Sequence, residues 1–308
     1  VTPSNSKLMR SILSVILFAI CMVSCQDSIS LDQIQGVNKL VVYAFPTAND
    51  TIVINVSASQ PVNAKAEQLS VKHVRCTTNG QDDSVVLAGN SHGSGTMVIT
   101  YYAIGKHQYG DEVRITVEDD KLPTASGTTH IPYPTNIEDV KMDTTFYKGS
   151  LYNQIRLSFN DNDRSTYYAV RVCGMYVPED EMTKGKTEFV ELETSAEPIL
   201  NKYSNAELEF GSWNDYYHSM YIFEDSSFKD KGATLHLCTL QKGWIENYKT
   251  ELITLSYDYY RMLKSLNDIK NNDIGSNGLS FMFSTYTNVQ GGYGCVAGYS
   301  MEETSWIK

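Results

Sequence analysis

The chain has 308 residues, a length that favours two domains over one. Apolar residues make up 42% of it and charged residues 20%, a composition that excludes an intrinsically disordered chain and a polytopic membrane protein. The formal net charge of −11 repels phosphate backbones and argues against a nucleic-acid partner.

An export signal is predicted at the N-terminus. The segment ILSVILFAICMV at 12–23 is apolar apart from Ser14 and follows the basic residue Arg10. It is too short to span a bilayer, which needs about 20 residues. This pattern is typical of a signal peptide, which we expect over residues 1–24 with the native start at Met9.

A lipid attachment site follows directly. The signal ends in Met22-Val23-Ser24-Cys25, which is similar to a bacterial lipobox with Met22 in place of the usual Leu. Cys25 is therefore expected to become the lipidated N-terminal residue, carrying acyl chains such as palmitate. The alternative is an ordinary secretory signal with an incidental cysteine. Residues 25–36 are polar and are expected to form a tether.

Period-two alternation of apolar and polar residues marks the next block as strands. The 21 tyrosines also favour strands over helices. Short strands separated by Gly and Asn turns predict an immunoglobulin-like β-sandwich over residues 37–133. The segment Ile131-Pro132-Tyr133-Pro134 breaks the pattern and places a domain boundary there. The runs that carry this prediction are 40–45, 52–58, 96–102 and 113–117.

Residues 134–308 are expected to form a second β-rich domain, a fibronectin-like sandwich with insertions and one short helix. Asp258 is predicted to cap that helix, because apolar residues recur after it at helical spacing from Tyr259 to Ile269. The stretch 178–228 is polar and irregular. The strands expected here are 155–159, 168–172, 234–240, 251–257 and 279–284.

Cysteine chemistry gives no site. Cys76, Cys173, Cys238 and Cys295 allow three disulfide pairings, among which the sequence does not choose. No CxxC is present, and the spacing of His236 and Cys238 favours buried packing over metal binding. No metal site and no cofactor are therefore predicted.

Two motifs suggest chemistry but lack its context. Gly89-Asn90-Ser91-His92-Gly93 matches a nucleophile elbow, yet a strand pattern follows where a helix is needed, which favours a hairpin loop. Asp161-Asn162-Asp163 lacks the later ligands of a calcium loop and favours a solvated turn. The sequence predicts no catalytic residue.

Exposed aromatic residues are the candidates for ligand binding. Trp213, Tyr216 and Tyr217 cluster in the irregular stretch and could stack against a sugar or a peptide. Burial in the core is the favoured alternative.

A glycine-rich segment is the candidate for partner contact. Asn288, Gly291, Gly292, Tyr293 and Gly294 could present backbone to a transporter. A terminal strand with a bulge is the favoured alternative, because glycine in strands most often marks a bulge.

The order of these segments resembles the domain-of-unknown-function family 4249 of Bacteroidota outer-membrane lipoproteins. The resemblance rests on LVVYAFPTANDTIVINVSAS, GDEVRITVEDD, THIPYPTNIEDV, RLSFND with YYAVRV, IFEDSSFKDKG, SYDYYRMLKSL and YTNVQGGYGCVAGYS. Members are typically encoded near TonB-dependent transporters. The resemblance implies a lipid-anchored outer-membrane protein, facing the surface or the periplasm, and no catalytic residues.

The expected function is therefore a non-enzymatic accessory or ligand-capturing partner of a TonB-dependent nutrient transporter. Two alternatives stay open. One is a surface adhesin or scaffold lipoprotein built from sandwich modules. The other is a cell-surface hydrolase whose site is assembled from distant residues, since acidic pairs can arise anywhere among 36 Asp and Glu.

Overall fold

A computed structural model describes residues 38–59, 69–93, 96–161, 166–177, 184–200, 220–228, 231–270 and 285–308. Of the residues that the structure describes, about 60% lie in strands and about 8% in helices, which confirms the mainly-β prediction. Within these ranges no helix combines the length and apolarity that crossing a membrane requires.

The described strands and the described α-helix have the following bounds: β1 Leu40–Ala44, β2 Ile52–Ala58, β3 Val71–Thr78, β4 Gln81–Asp82, β5 Ser84–Gly93, β6 Thr96–Ile104, β7 Glu112–Asp119, β8 Ala125–His130, β9 Ile137–Tyr147, β10 Ser150–Asn160, β11 Tyr167–Tyr176, β12 Thr187–Val190, β13 Tyr221–Glu224, β14 Gly232–Leu240, β15 Ile245–Leu255, α1 Tyr257–Lys270, β16 Tyr293–Val296 and β17 Tyr299–Glu303. Short 3-10 helices occupy Thr194–Ala196 and Asp225–Ser227.

The first sandwich packs a sheet of order β16-β1-β2-β6-β5 against a sheet of order β4-β3-β7-β8. Alternate residues of each strand point inward, as in β1 and β7. The resulting core is aliphatic and includes Leu40, Ile54, Ile115 and Val117.

The second sandwich packs a sheet of order β14-β10-β9 against a sheet of order β12-β11-β15-β17, with β13 also paired to β11. Its core is rich in aromatic residues. Phe159 contacts Tyr168, Phe223 and Phe228 with ring centroids 5.6–6.3 Å apart. Aromatic rings bury a large area each and give this half a different core from the first.

A third apolar cluster joins the two sandwiches. On β11, Val170 faces the second core and its neighbour Ala169 faces the opposite side, where α1 packs. Tyr43 and Phe45, at the end of β1, pack against the same cluster. The helix is therefore held at the junction of the two sandwiches.

The C-terminal segment also crosses between the two halves. β16 pairs in parallel with β1 and completes a sheet of the first sandwich, and β17 then pairs with β15 of the second. The proposed boundary at residue 134 falls in the extended stretch between β8 and β9. The division into domains at 37–133 and 134–308 stays a prediction.

Three local predictions need comment. The prediction of Asp258 as the helix cap is wrong by two residues. The helix α1 begins at Tyr257, and its cap is Ser256, whose hydroxyl accepts the Tyr259 N–H at 3.3 Å. Residues 89–93 belong to strand β5 and not to a loop. The expected strand 279–284 lies outside the described residues.

Candidate functional site

Two neighbouring cavities, of about 570 and about 460 Å³, share Tyr167 and Tyr257 in their walls. We call their combined surface the tyrosine groove. It lies where the first sandwich, the second sandwich and α1 meet. The segments that line it are 129–133, 166–167, 255–258, 260–261, 264–265 and 285–287, together with Gly110 and Glu224.

Local structure explains why tyrosines face the groove. β15 ends at Leu255, and Ser256 caps α1, so Tyr257 lies in the first helical turn. The side chains of Tyr259, Met262 and Leu263 occupy the buried face of the helix. Tyr257 lies off that face and is 49% exposed.

The aromatic rings form two pairs. The Tyr167 ring stacks on Tyr260 with centroids 4.5 Å apart and lies 5.6 Å from the Tyr257 centroid. On the first sandwich, the Tyr133 ring lies 6.3 Å from that of Tyr109, and Tyr133 is 42% exposed. The groove therefore presents ring faces from both of its walls.

The carboxylates of the groove accept hydrogen bonds from tyrosines. The Tyr260 hydroxyl donates to Glu224, and the Tyr286 hydroxyl donates to Asp258 at 2.5 Å. Burial, and then the hydrogen bond to Asp258 and the charge of that carboxylate, raise the pKa of Tyr286 above its ordinary value. Tyr286 is thus a neutral hydrogen-bond donor at physiological pH.

Two cations lie one turn apart on the exposed part of α1. Arg261 Nη1 donates to the Tyr257 hydroxyl at 2.7 Å. Its guanidinium carbon lies 5.6 Å from the Tyr257 ring centroid and 5.4 Å from that of Tyr286. Lys264 lines the same cavity. The groove therefore combines ring faces with both donors and acceptors, which suits reversible binding.

A further cavity of about 340 Å³ is lined by residues including Asn55, Tyr102 and Arg171. Arg171 is buried there, its guanidinium pairs with Glu251, and it lies 4.2 Å from the Phe189 ring. That charge is compensated within the protein. We therefore place the candidate site in the tyrosine groove.

Four candidates from the sequence lie outside the described residues: Cys25, Trp213, Tyr216 and Tyr217. The glycine-rich segment is described. The Asn288 side chain donates to the Val296 carbonyl at 2.7 Å and accepts the Val296 N–H at 2.9 Å. These bonds close the turn that leads into β16.

Steric constraints explain why glycine occupies these positions of the segment. Gly294 has a φ of +105°, and a Cβ there would lie 2.0 Å from the Val42 carbonyl oxygen. A Cβ on Gly291 or Gly292 would likewise approach backbone oxygens closely. Tyr293 is exposed beside Lys39. Partner contact at this segment stays a prediction.

The cysteines that the structure describes, Cys76, Cys173, Cys238 and Cys295, are buried free thiols. His236 lies near Glu197, with 3.6 Å between Nδ1 and a carboxylate oxygen. Over the described part of the chain, no group of three or more His, Cys, Asp or Glu residues is placed to hold a metal ion.

Sequence reasoning missed the groove. Tyr133, Tyr167, Tyr257 and Tyr286 come from four separate segments, and only the tertiary fold brings them together. One local signal was available. Tyr257 falls outside the apolar spacing of the helix that follows it, which indicates an exposed ring.

The fold and the groove define a mainly-β protein of two sandwiches with an aromatic groove at their junction. Residues 26–305 match the model of a family described as "Domain of unknown function (DUF4249)". The chain belongs to this family, and the resemblance inferred from its motifs is confirmed. No curated protein matches the chain.

Proposed function

We propose that this protein is a non-enzymatic outer-membrane lipoprotein. It captures a ligand in the tyrosine groove and serves a TonB-dependent transporter as an accessory binding partner. The observation that carries this proposal is the groove itself, where exposed tyrosine faces, two cations and two carboxylates converge on one concave surface.

The anchoring part of the proposal is supported by sequence. The apolar segment 12–23 ends in a lipobox-like motif at Cys25, and a polar stretch of 25–36 separates that cysteine from the first strand. Acyl chains on Cys25 would hold the folded body at a membrane surface. A tethered binding face raises the effective concentration of its ligand near a transporter without any chemical step.

The proposed ligand binding is supported by the hydrogen bonds that the two carboxylates of the groove accept. Glu224 and Asp258 each accept a hydrogen bond from a tyrosine hydroxyl, an arrangement that fixes ring positions. Fixed rings and fixed donors favour binding, because little side-chain freedom is lost when a ligand arrives.

Membrane anchoring is tested by comparing Cys25→Ala with the matched control Cys21→Ala in cells that produce the full chain. We expect palmitate labelling and membrane pelleting to be lost for Cys25→Ala and kept for Cys21→Ala. Labelling that persists in Cys25→Ala would contradict the anchor.

The partnership is tested by purifying the tagged full chain from gently solubilised outer membranes. We expect a large TonB-dependent barrel protein to co-purify, as identified by mass spectrometry. Recovery of the protein alone, together with altered cell adhesion on gene deletion, would favour the adhesin alternative instead.

A further inference from the structure

We propose that the ligand of the tyrosine groove is a neutral oligosaccharide. This inference rests on the proposed function, because it takes the groove as the capture site. It adds the chemical class of the ligand and the residues that recognise it.

The ring faces supply the first argument. Tyr257 and Tyr133 are 49% and 42% exposed, and both line the cavity of about 460 Å³. Two half-exposed rings in one cavity offer surface for stacking, beside the contacts that Tyr167 and Arg261 make with the Tyr257 ring. The C–H face of a pyranose ring is flat and apolar, and it fits a surface of this kind.

The polar groups supply the second argument. Arg261 and Lys264 carry hydrogen-bond donors, and the carboxylates of Glu224 and Asp258 carry acceptors. A sugar hydroxyl both donates and accepts, so it can use both sets. The two cations and two carboxylates also give the groove a formal charge of zero, within a chain whose net charge is −11. This balance disfavours a strongly anionic ligand.

The aliphatic residues argue against a peptide. Ile131 and Leu255 line the groove but are 0% and 3% exposed, so they offer almost no contact area. A peptide that inserts apolar side chains into pockets would find little contact area here, whereas a proline-rich peptide, which binds aromatic-lined grooves, is the competing ligand that the peptides of the array test. The lining of the groove instead includes tyrosines and the small polar residues Ser265, Thr285 and Thr287.

The test uses the full chain purified in detergent, presented to an array of neutral and acidic oligosaccharides and of unstructured peptides. We expect binding to at least one neutral oligosaccharide, measured afterwards by calorimetry. Tyr257→Ala should weaken that affinity at least about tenfold, because it removes the stacking face. Tyr257→Phe keeps the face and should stay within about threefold of the parent.

The matched control is Tyr102→Ala, which removes a 40% exposed ring that lies outside the groove. Its affinity should equal that of the parent. Circular dichroism spectra and melting temperatures of all three variants establish that each is folded. Equal binding by Tyr257→Ala and the parent would overturn the groove as the site.

Binding only to acidic oligosaccharides, or only to peptides, would overturn the proposed ligand class. If Tyr257→Ala abolishes that binding, the groove is still the capture site and the proposed function stands. Absence of binding to every neutral oligosaccharide would also overturn the inference. Co-purification with a transporter is measured independently of ligand binding. Its outcome therefore distinguishes a wrong ligand class from a wrong proposed function.

Discussion

The cores of the two sandwiches are filled by different kinds of side chain. Among the described residues, the buried members of the first core are aliphatic, apart from the thiol of Cys76. The second core contains the buried rings of Phe159, Tyr168, Phe223 and Tyr248. A tyrosine in a core brings a hydroxyl that needs a hydrogen-bond partner, which an aliphatic residue does not.

These hydroxyls tie loops and strands to the second core. The Tyr168 hydroxyl donates to Asp161, and the Tyr221 hydroxyl accepts the N–H of Leu192 at 2.8 Å. Asn153 Nδ2 donates to the Tyr248 hydroxyl at 2.9 Å. The first half also has buried polar contacts, since the Thr78 hydroxyl donates to Asp83 at 2.8 Å and His107 Nδ1 lies 2.8 Å from the Asp50 carbonyl oxygen. The difference lies in the cores, which are aliphatic in the first half and include hydrogen-bonded tyrosines in the second. In the groove, the Tyr260 and Tyr286 hydroxyls are hydrogen-bonded in the same way, to Glu224 and Asp258.

The buried ion pair of the second half offers the largest test of this comparison. Glu251→Ala removes the carboxylate that pairs with the buried Arg171 guanidinium, and we expect a loss of about 3–5 kcal/mol in the free energy of unfolding. Urea denaturation measures this loss.

The control for that prediction replaces both partners, as Arg171→Met with Glu251→Met. A pair of apolar residues leaves no uncompensated charge, so the double variant should recover most of the lost stability. A single variant as stable as the parent would show that this half does not depend on the pair.

Gly294 tests the segment that the two halves share. Gly294→Ala places a Cβ against the Val42 carbonyl and forces a left-handed backbone on alanine, so we expect a loss of about 3 kcal/mol. Gly149→Ala is the matched control, because Gly149 has a φ of +84° and open space around it. It should cost only about 1 kcal/mol. Equal losses would show that backbone conformation, and not the contact between β16 and β1, sets the effect.

The two cores can be compared by removing a hydroxyl from the second core and adding one to the first. Tyr248→Phe removes a hydroxyl from the second core and leaves the Asn153 amide without its acceptor, at a cost of about 1–3 kcal/mol. Val117→Thr adds a hydroxyl to the aliphatic core of the first sandwich, at a similar cost of about 1–3 kcal/mol. Thermal unfolding compares the two. A neutral Val117→Thr would mean that the first core accommodates polar groups as well as the second.

The same difference explains what could be predicted from sequence. The strict alternation of apolar and polar residues in β2 and β7 indicates a strand with one aliphatic face in a sandwich. The predicted bounds of these two strands therefore agree almost to the residue with the structure. The parallel pairing of Val42 with Gly294 joins segments about 250 residues apart, and no local pattern reveals such a contact. The groove was missed for the same reason. Its tyrosines lie in strand, loop and helix contexts that only the junction unites.

The smallest expected effect concerns surface carboxylates, where the two halves should behave alike. In the second half, the Ser195 hydroxyl, which donates to Glu193, holds the pKa of that carboxyl below its ordinary value. In the first half, hydrogen bonds from Ser70 and Lys72 lower the pKa of Asp120.

A carboxyl whose pKa is lowered on folding stabilises the protein at pH values above its unfolded pKa, and that stability is lost as the pH falls through the folded value. Ser195→Ala should therefore lower the stability at neutral pH and make it fall less steeply below the ordinary pKa of 4.5, so that variant and parent converge in acid. The size is a few tenths of a kcal/mol, since Glu193 is near the surface. Ser70→Ala should flatten the acid limb in the same direction, and urea denaturation at a series of pH values measures both. A much larger effect for Ser195→Ala alone would extend the polar character of the second half from its core to its surface.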